Sequence, residues 1–219
     1  MLWLTSTLSI LSRLISKVRR LMKPVLWTTR MLVTSVSVIQ RWNHAVAVQY
    51  KATRPATLPG QSSDAVQKLT YGITALRATE STLLGPWYLS CLAWAHATLR
   101  RHDEAWRCIG DAIAMMETNK QQWCEAEVHR AAGEIALISP ERDAAEAEAS
   151  FERALAIARK QQAKSWELRA AMSMARLWRD QGKRQQARDL LAPVYGWFTE
   201  GFDTLDLKEA KALLDELHT

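Results

Sequence analysis

The chain has 219 residues, 48% of them apolar, with only 8 glycines and 6 prolines, which disfavours a turn-rich all-β fold and suits long helices. Its net charge of +6 is unevenly placed: residues 1–63 hold nine Lys or Arg and no acid, whereas the remaining 20 basic and 23 acidic residues leave 64–219 at −3. The basic character belongs to the leader, so overall charge gives no ground for nucleic-acid binding by the body of the chain.

In the leader, residues 1–12 are uncharged, but Arg13 interrupts them far short of the ~20 apolar residues that a spanning helix needs. No transmembrane segment is expected. Leu2, Leu4, Leu8, Leu11, Leu14, Ile15, Val18 and Leu21 fall on one helical face opposite Arg and Lys. That acid-free, Ser-rich pattern suits an interfacial helix or an organelle-targeting segment. It is equally consistent with a non-native stretch, an aberrant start or frame-shifted sequence joined to a genuine domain. Pro55, Pro59 and Gly60 predict a loop, and the ordered body is expected from Asp64.

From Asp64 the composition shifts to Ala, Leu, Glu, Arg and Gln, strong helix formers. Asp64–Thr79 predicts a first helix. Three later segments then share one spacing: Ala105/Ile109/Ala112, Ala147/Phe151/Ala154 and Ala187/Leu191/Val194. Offsets of 4 and 3 place each trio on a single helical stripe, where small residues admit a neighbouring helix and the large one fills the space beside it. Each trio is preceded by another predicted helix, centred on Ala93, Gly133 and Ala175, across turns at Arg100–Asp103, Ser139–Arg142 and Gln181–Lys183. Helix, turn, helix occurs three times with a step of 40 to 42 residues. Stepping back from Ala105 reaches Ala65, Leu69 and Gly72, so the first helix reads as an orphan second helix of a preceding pair. Asp203-Thr204 caps a last predicted helix, Leu205–Leu217, whose Lys208, Glu209, Lys211, Asp215 and Glu216 supply the polar face of a terminal cap.

These residues resemble the tetratricopeptide repeat, with small side chains at its eighth, twentieth and twenty-seventh positions: Ala93, Ala105 and Ala112, then Gly133, Ala147 and Ala154, then Ala175, Ala187 and Val194. Trp178 stands at the aromatic position and Gly182 in the turn of the last repeat. The period exceeds the usual ~34 residues, and the proline that normally follows the second helix is missing. The stretches Trp123–Glu127, Ala147–Arg159, Lys164–Arg169, Ala175–Trp178 and Leu190–Phe202 further resemble the C-terminal repeat region of large bacterial signalling proteins. Upstream of such repeats that family carries an ATPase module, often with a cyclase or winged-helix domain. The resemblance implies an all-α, right-handed α-α superhelix of about three hairpins plus the orphan and capping helices. It also implies a protein-interaction or sensor module within a signalling or transcription regulator. The alternatives are a fragment of a cyclase-type protein lacking its catalytic domain, and an adaptor anchored to a membrane surface by residues 1–63.

No catalytic residue, cofactor site or metal site is expected. Lys164-Ser165 lacks the preceding glycines of a phosphate-binding loop, and no strand-rich segment exists to carry cyclase aspartates. The five histidines read as helix-end or surface residues without ligand spacing. Cys91, Cys108 and Cys124, an odd number without CxxC, suit a reducing cytoplasm and small buried roles. Trp123, Trp166 and Trp178 are expected in the core.

Tetratricopeptide arrays bind along the concave face of their first helices. In this register that face collects Trp87, Ser90 and Trp94, then Glu127, Arg130 and Glu134, then Arg169, Met172, Arg176 and Arg179. Arg169 and Arg176 are seven apart, as are Met172 and Arg179, so all four share a face. The expected partner is a protein or peptide, acidic or C-terminal, held by Arg forks at a basic groove edged by aromatics. The competing reading is that the arginines pair with neighbouring acids. The exposed faces of an unpaired first helix also leave self-association open.

Overall fold

The computed structural model describes residues 59–77, 84–141 and 143–218, and among them every regular element is an α-helix. They run α1 (Pro59–Arg77), α2 (Gly85–Thr98), α3 (His102–Asn119), α4 (Glu125–Ile138), α5 (Ala144–Lys160), α6 (Lys164–Asp180), α7 (Arg184–Gly196) and α8 (Leu205–His218). The leader lies outside the described residues, and with it the interfacial-helix and targeting readings. No helix among the described residues is long and apolar enough to cross a membrane.

The first helix begins earlier than expected. Pro59 and Gly60, read as loop residues, open α1. A proline fits the first turn of a helix because its missing N–H would have no intrahelical acceptor there and its φ is already helical.

Local chemistry sets the other helix ends. Asp103 and Glu104 lie in the first turn of α3, where acidic side chains face the positive end of the helix dipole. Asp143 caps α5 by accepting from the Glu146 N–H at 2.9 Å. Three helices end in the same way. After α6, Gly182 N–H donates to Arg179 O and Lys183 N–H to Trp178 O. After α5, Gln162 and Ala163 repeat this toward Arg159 O and Ala158 O, and after α2, Arg100 and Arg101 repeat it toward Ala97 O and His96 O. This paired closure requires a left-handed residue, Gly182 at φ +79°, Gln162 at +55° and Arg100 at +61°. Only the first is a glycine. Gln162→Gly and Arg100→Gly are each expected to stabilise the fold by about 0.5–1 kcal/mol, because the Cβ strain disappears while the hydrogen bonds persist. Urea midpoints that stay put or fall in both variants would contradict this.

Packing follows the repeated stripe. All nine residues of the three trios are buried, as are Ala65, Leu69 and Gly72 of α1 and Ala93, Gly133 and Ala175 of the preceding helices. Each helix packs on the next through a short connection, and α2–α4, α4–α6 and α6–α8 are also in contact. Among the described residues no contact of similar extent joins α3, α5 and α7 to one another. The even-numbered helices therefore touch in series, and the odd-numbered ones stand apart from each other. α2 is buried on nearly all sides between α1, α3 and α4, which accounts for its Ala, Leu and Cys content. From α4 to α8 one continuous core includes Phe151, Leu168, Met174, Leu191 and Leu213.

The three cysteines are free and buried, as expected. The tryptophans divide. Trp178 is half-buried against the core and donates its Nε1–H to Glu148 of α5 at 2.7 Å. Trp166 is half-buried, with the Arg169 guanidinium 5.2 Å from its ring centre. Trp123 departs from its expected core position: it stands in the turn before α4 and remains 37% exposed.

Candidate functional site

The side chains expected to form a groove come from α2, α4 and α6, which touch in series. On α2, Trp87 and Trp94 are half-buried. Trp87 meets Tyr88 edge-on, with ring centres 5.0 Å apart. Ser90 between them is buried and donates its hydroxyl to the Trp87 carbonyl at 2.7 Å, which removes it from the lining.

On α4, Glu127, Arg130 and Glu134 lie three and four residues apart and share a face. Arg130 holds both oxygens of Glu127, through Nε at 2.9 Å and Nη2 at 2.7 Å, and reaches Glu134 through Nη1 at 3.2 Å. The same Nη1 lies 3.4 Å from Ser173 Oγ on α6, whose hydroxyl donates to Glu134 at 2.6 Å. Burial works against the charge on Arg130, but Glu127 and Glu134 outweigh it and hold the guanidinium protonated well above its ordinary range. The result is a closed polar network bridging α4 and α6.

The arginines of α6 are engaged as well. Arg169 Nε donates to Asp206 at 2.7 Å, Arg176 Nη2 to Glu209 at 3.2 Å, and Arg179 Nη1 to Glu216 at 2.7 Å, with Arg179 Nε also on Asp180 at 3.0 Å. The pairing of arginines with neighbouring acids, and not an open basic groove, describes this face. Met172 is corrected too: at 3% exposure it belongs to the core. On α6 the arginines lean toward α8 while Met172 turns inward with Leu168 and Ala171. Asp206, Glu209 and Ser173 were not anticipated. The signal for the first two was available, since Asp206, Glu209 and Glu216 recur at helical offsets matching the spread of the arginines. Glu209 and Glu216, read as part of a solvent-facing cap, instead face α6, while Asp215 pairs with Lys211 on α8 itself.

No family model matches the chain, and no curated protein matches it.

Two further titratable groups lie on the same helices. Glu167 is buried at the start of α6 and accepts from Lys164 at 2.7 Å and from Arg159 of α5 at 3.0 Å. Burial raises its pKa, but the two cations more than offset this and hold the carboxyl below its ordinary value.

His129 on α4 overturns the expectation that every histidine is a surface or helix-end residue, because it is buried in mid-helix. Burial first, and then the Arg153 guanidinium, push its pKa from 6.5 down to about 4. The imidazole is neutral in the fold, whereas the unfolded chain protonates it as pH falls below 6.5. Stability is therefore intact above that pH and declines as pH falls toward about 4, by up to about 3 kcal/mol. His129→Gln is expected to flatten the slope of unfolding free energy between pH 6.5 and 5, above the range where carboxylates such as Glu167 contribute. An unchanged slope would show that His129 titrates normally in the fold.

Among the described residues no group of three or more His, Cys, Asp or Glu is placed to hold a metal ion.

Proposed function

We propose that residues 59–218 are a tetratricopeptide-like array, a right-handed superhelix of hairpins whose inner helices α2, α4, α6 and α8 recognise a protein segment. The observation that carries this reading is the serial contact of those four helices, with half-exposed Trp87 and Trp94 at one end and paired charges along α4 and α6. A surface of this kind offers aromatic area together with hydrogen-bonding groups held in place by their ion pairs, which suits recognition of an extended or helical peptide. The step of about 40 residues and the three buried small-large-small stripes support the repeat assignment. The sequence likeness from Trp123 to Leu217 favours a place as the C-terminal regulatory part of a bacterial cytoplasmic signalling or transcription regulator. In this reading the module performs no chemistry of its own and the repeat body contacts no nucleic acid.

The test is a selection of peptides from a random display library against the full chain. Selected peptides should lose about tenfold or more in affinity with Trp87→Ala or Trp94→Ala, while far-UV circular dichroism stays unchanged. Peptides that map instead to the exposed faces of α3, α5 and α7, or that ignore both substitutions, would refute the inner-face reading.

A further inference from the structure

Apolar surface is left uncovered where α7 turns into α8. Five large hydrophobic side chains are exposed among the described residues, and two of them, Trp197 at 58% and Phe202 at 46%, stand in this one connection. Both rings are braced. Trp197 meets Phe198 edge-on with ring centres 5.2 Å apart, and the Phe202 ring centre lies 5.9 Å from that of Tyr195. Gly201 adopts φ +77°, which favours glycine, and the Thr204 N–H donates to its carbonyl at 2.9 Å, so the reversal of the chain is fixed. The turn therefore presents aromatic area already in place, with little ordering left for a partner to impose.

Charge decides which partner fits. Residues 189–207 contain Asp189, Glu200, Asp203 and Asp206 and no Lys or Arg. Asp189 accepts from Gln185 and Asp206 from Arg169. The exposed Glu200 and Asp203 have no hydrogen-bond or ion-pair partner among the described residues. Unpaired carboxylates beside bare rings repel an acidic peptide, a nucleic-acid backbone, an anionic membrane surface and a second copy of the same turn. They attract cations, and the chain itself shows how rings at this edge hold them. Lys164 Nζ lies 5.6 Å from the Trp197 ring centre, and the Arg169 guanidinium 5.2 Å from that of Trp166. Each of these cations also bonds a carboxylate, Lys164 that of Glu167 and Arg169 that of Asp206. For Glu200 and Asp203 the described residues supply no such cation.

We infer that the α7–α8 turn docks a basic, arginine-bearing segment of a partner protein, its guanidinium groups laid on Trp197 and Phe202 and bonded to Glu200 and Asp203. Arginine suits the turn better than lysine. Its planar guanidinium stacks on a ring and forks onto a carboxylate at the same time, whereas an ammonium group offers only a point charge. The site stands whether or not the inner face binds a peptide.

Fluorescence anisotropy of the full chain with short labelled probes tests it, the probes alternating glycine with arginine, with lysine or with glutamate. The arginine probe should bind about threefold or more tighter than the lysine probe, and less tightly as salt rises. Trp197→Ala with Phe202→Ala should weaken it about tenfold. Glu200→Gln with Asp203→Asn keeps both rings and should weaken it at least about fivefold. Two control pairs should leave its affinity unchanged. Glu146→Gln with Glu152→Gln removes the same charge from exposed positions of α5, and Trp87→Ala with Trp94→Ala alters the inner face. The proposal is overturned by an arginine probe that does not bind, that ignores both turn variants, or that is weakened by either control pair. A lysine probe bound as tightly, or a glutamate probe that the turn variants weaken, overturns it equally.

Discussion

Gly133→Ala is expected to destabilise the protein by about 1–3 kcal/mol, although alanine at an ordinary helix position would stabilise it by roughly 0.5–1 kcal/mol. A Cβ at residue 133 would lie 2.5 Å from Phe151 Cε1, 2.7 Å from Phe151 Cδ1 and 3.0 Å from the Ala147 carbonyl oxygen. The ring is fully buried and the carbonyl belongs to the α5 backbone, so neither yields without displacing α5 from α4. Glycine at this position is thus a condition for close approach of the two helices. Phe151 fills the space that approach creates, and Phe151→Ala should lose about 3–5 kcal/mol by leaving a cavity in the middle of the hairpin. Phe151→Leu vacates the ring atoms that a Cβ at 133 would meet. In the double variant Gly133→Ala/Phe151→Leu the two losses should therefore sum to less than additive, by about 1 kcal/mol or more. Chemical denaturation of the four proteins settles the point. A neutral or stabilising Gly133→Ala would mean that the helices are not in this contact.

The second large effect is expected at Arg130. Arg130→Met retains much of the side-chain volume but removes the cation bonded to both Glu127 and Glu134, two partly buried carboxylates on the same face of α4. Losing one member of such a network leaves the others with their desolvation uncompensated, and a loss of about 3 kcal/mol follows. Converting Glu127 to Gln in the Arg130→Met background should recover a substantial part of it, since a neutral amide needs no counter-charge. Ser173→Ala breaks the link from Glu134 to α6 and should cost about 1 kcal/mol. If the double variant were no more stable than Arg130→Met alone, the stabilisation would reside in packing of the arginine stem and not in its charge. The surface pairs Arg176–Glu209 and Arg179–Glu216 are more exposed, and each single truncation there should move stability by less than 1 kcal/mol. They direct where α8 sits more than how firmly the fold holds.

The contrast between these two predictions reflects what is legible in a sequence. Ala147 and Phe151 could be placed on one stripe from their spacing alone, because a helix turns through a fixed angle per residue, and the resemblance to the tetratricopeptide pattern set Gly133 opposite them. Arg130 with Glu127 and Glu134 was readable for the same reason, being neighbours on one helix. The link to Ser173, 39 residues from Glu134, was not. Nor was the bond from Trp178 to Glu148, or the alignment of Asp206, Glu209 and Glu216 with the arginines of α6. Periodicity states which residues share a face but not which face of another helix lies opposite.

From the sequence alone came the helical class, the helix–turn–helix beat of about 40 residues, the breakpoints near residues 100, 140 and 182, and the small and large residues that would be buried. All of these follow from local backbone geometry and periodicity. The tertiary packing alone decided the rotation of α6 that buries Met172 and aims its arginines at α8, the burial of His129 and the exposure of Trp123. The bonds that tie the α6 arginines to α8 join residues 33 to 37 positions apart. A charged side chain on a helix face is equally compatible with water, a ligand or a neighbouring helix until the neighbour is in place.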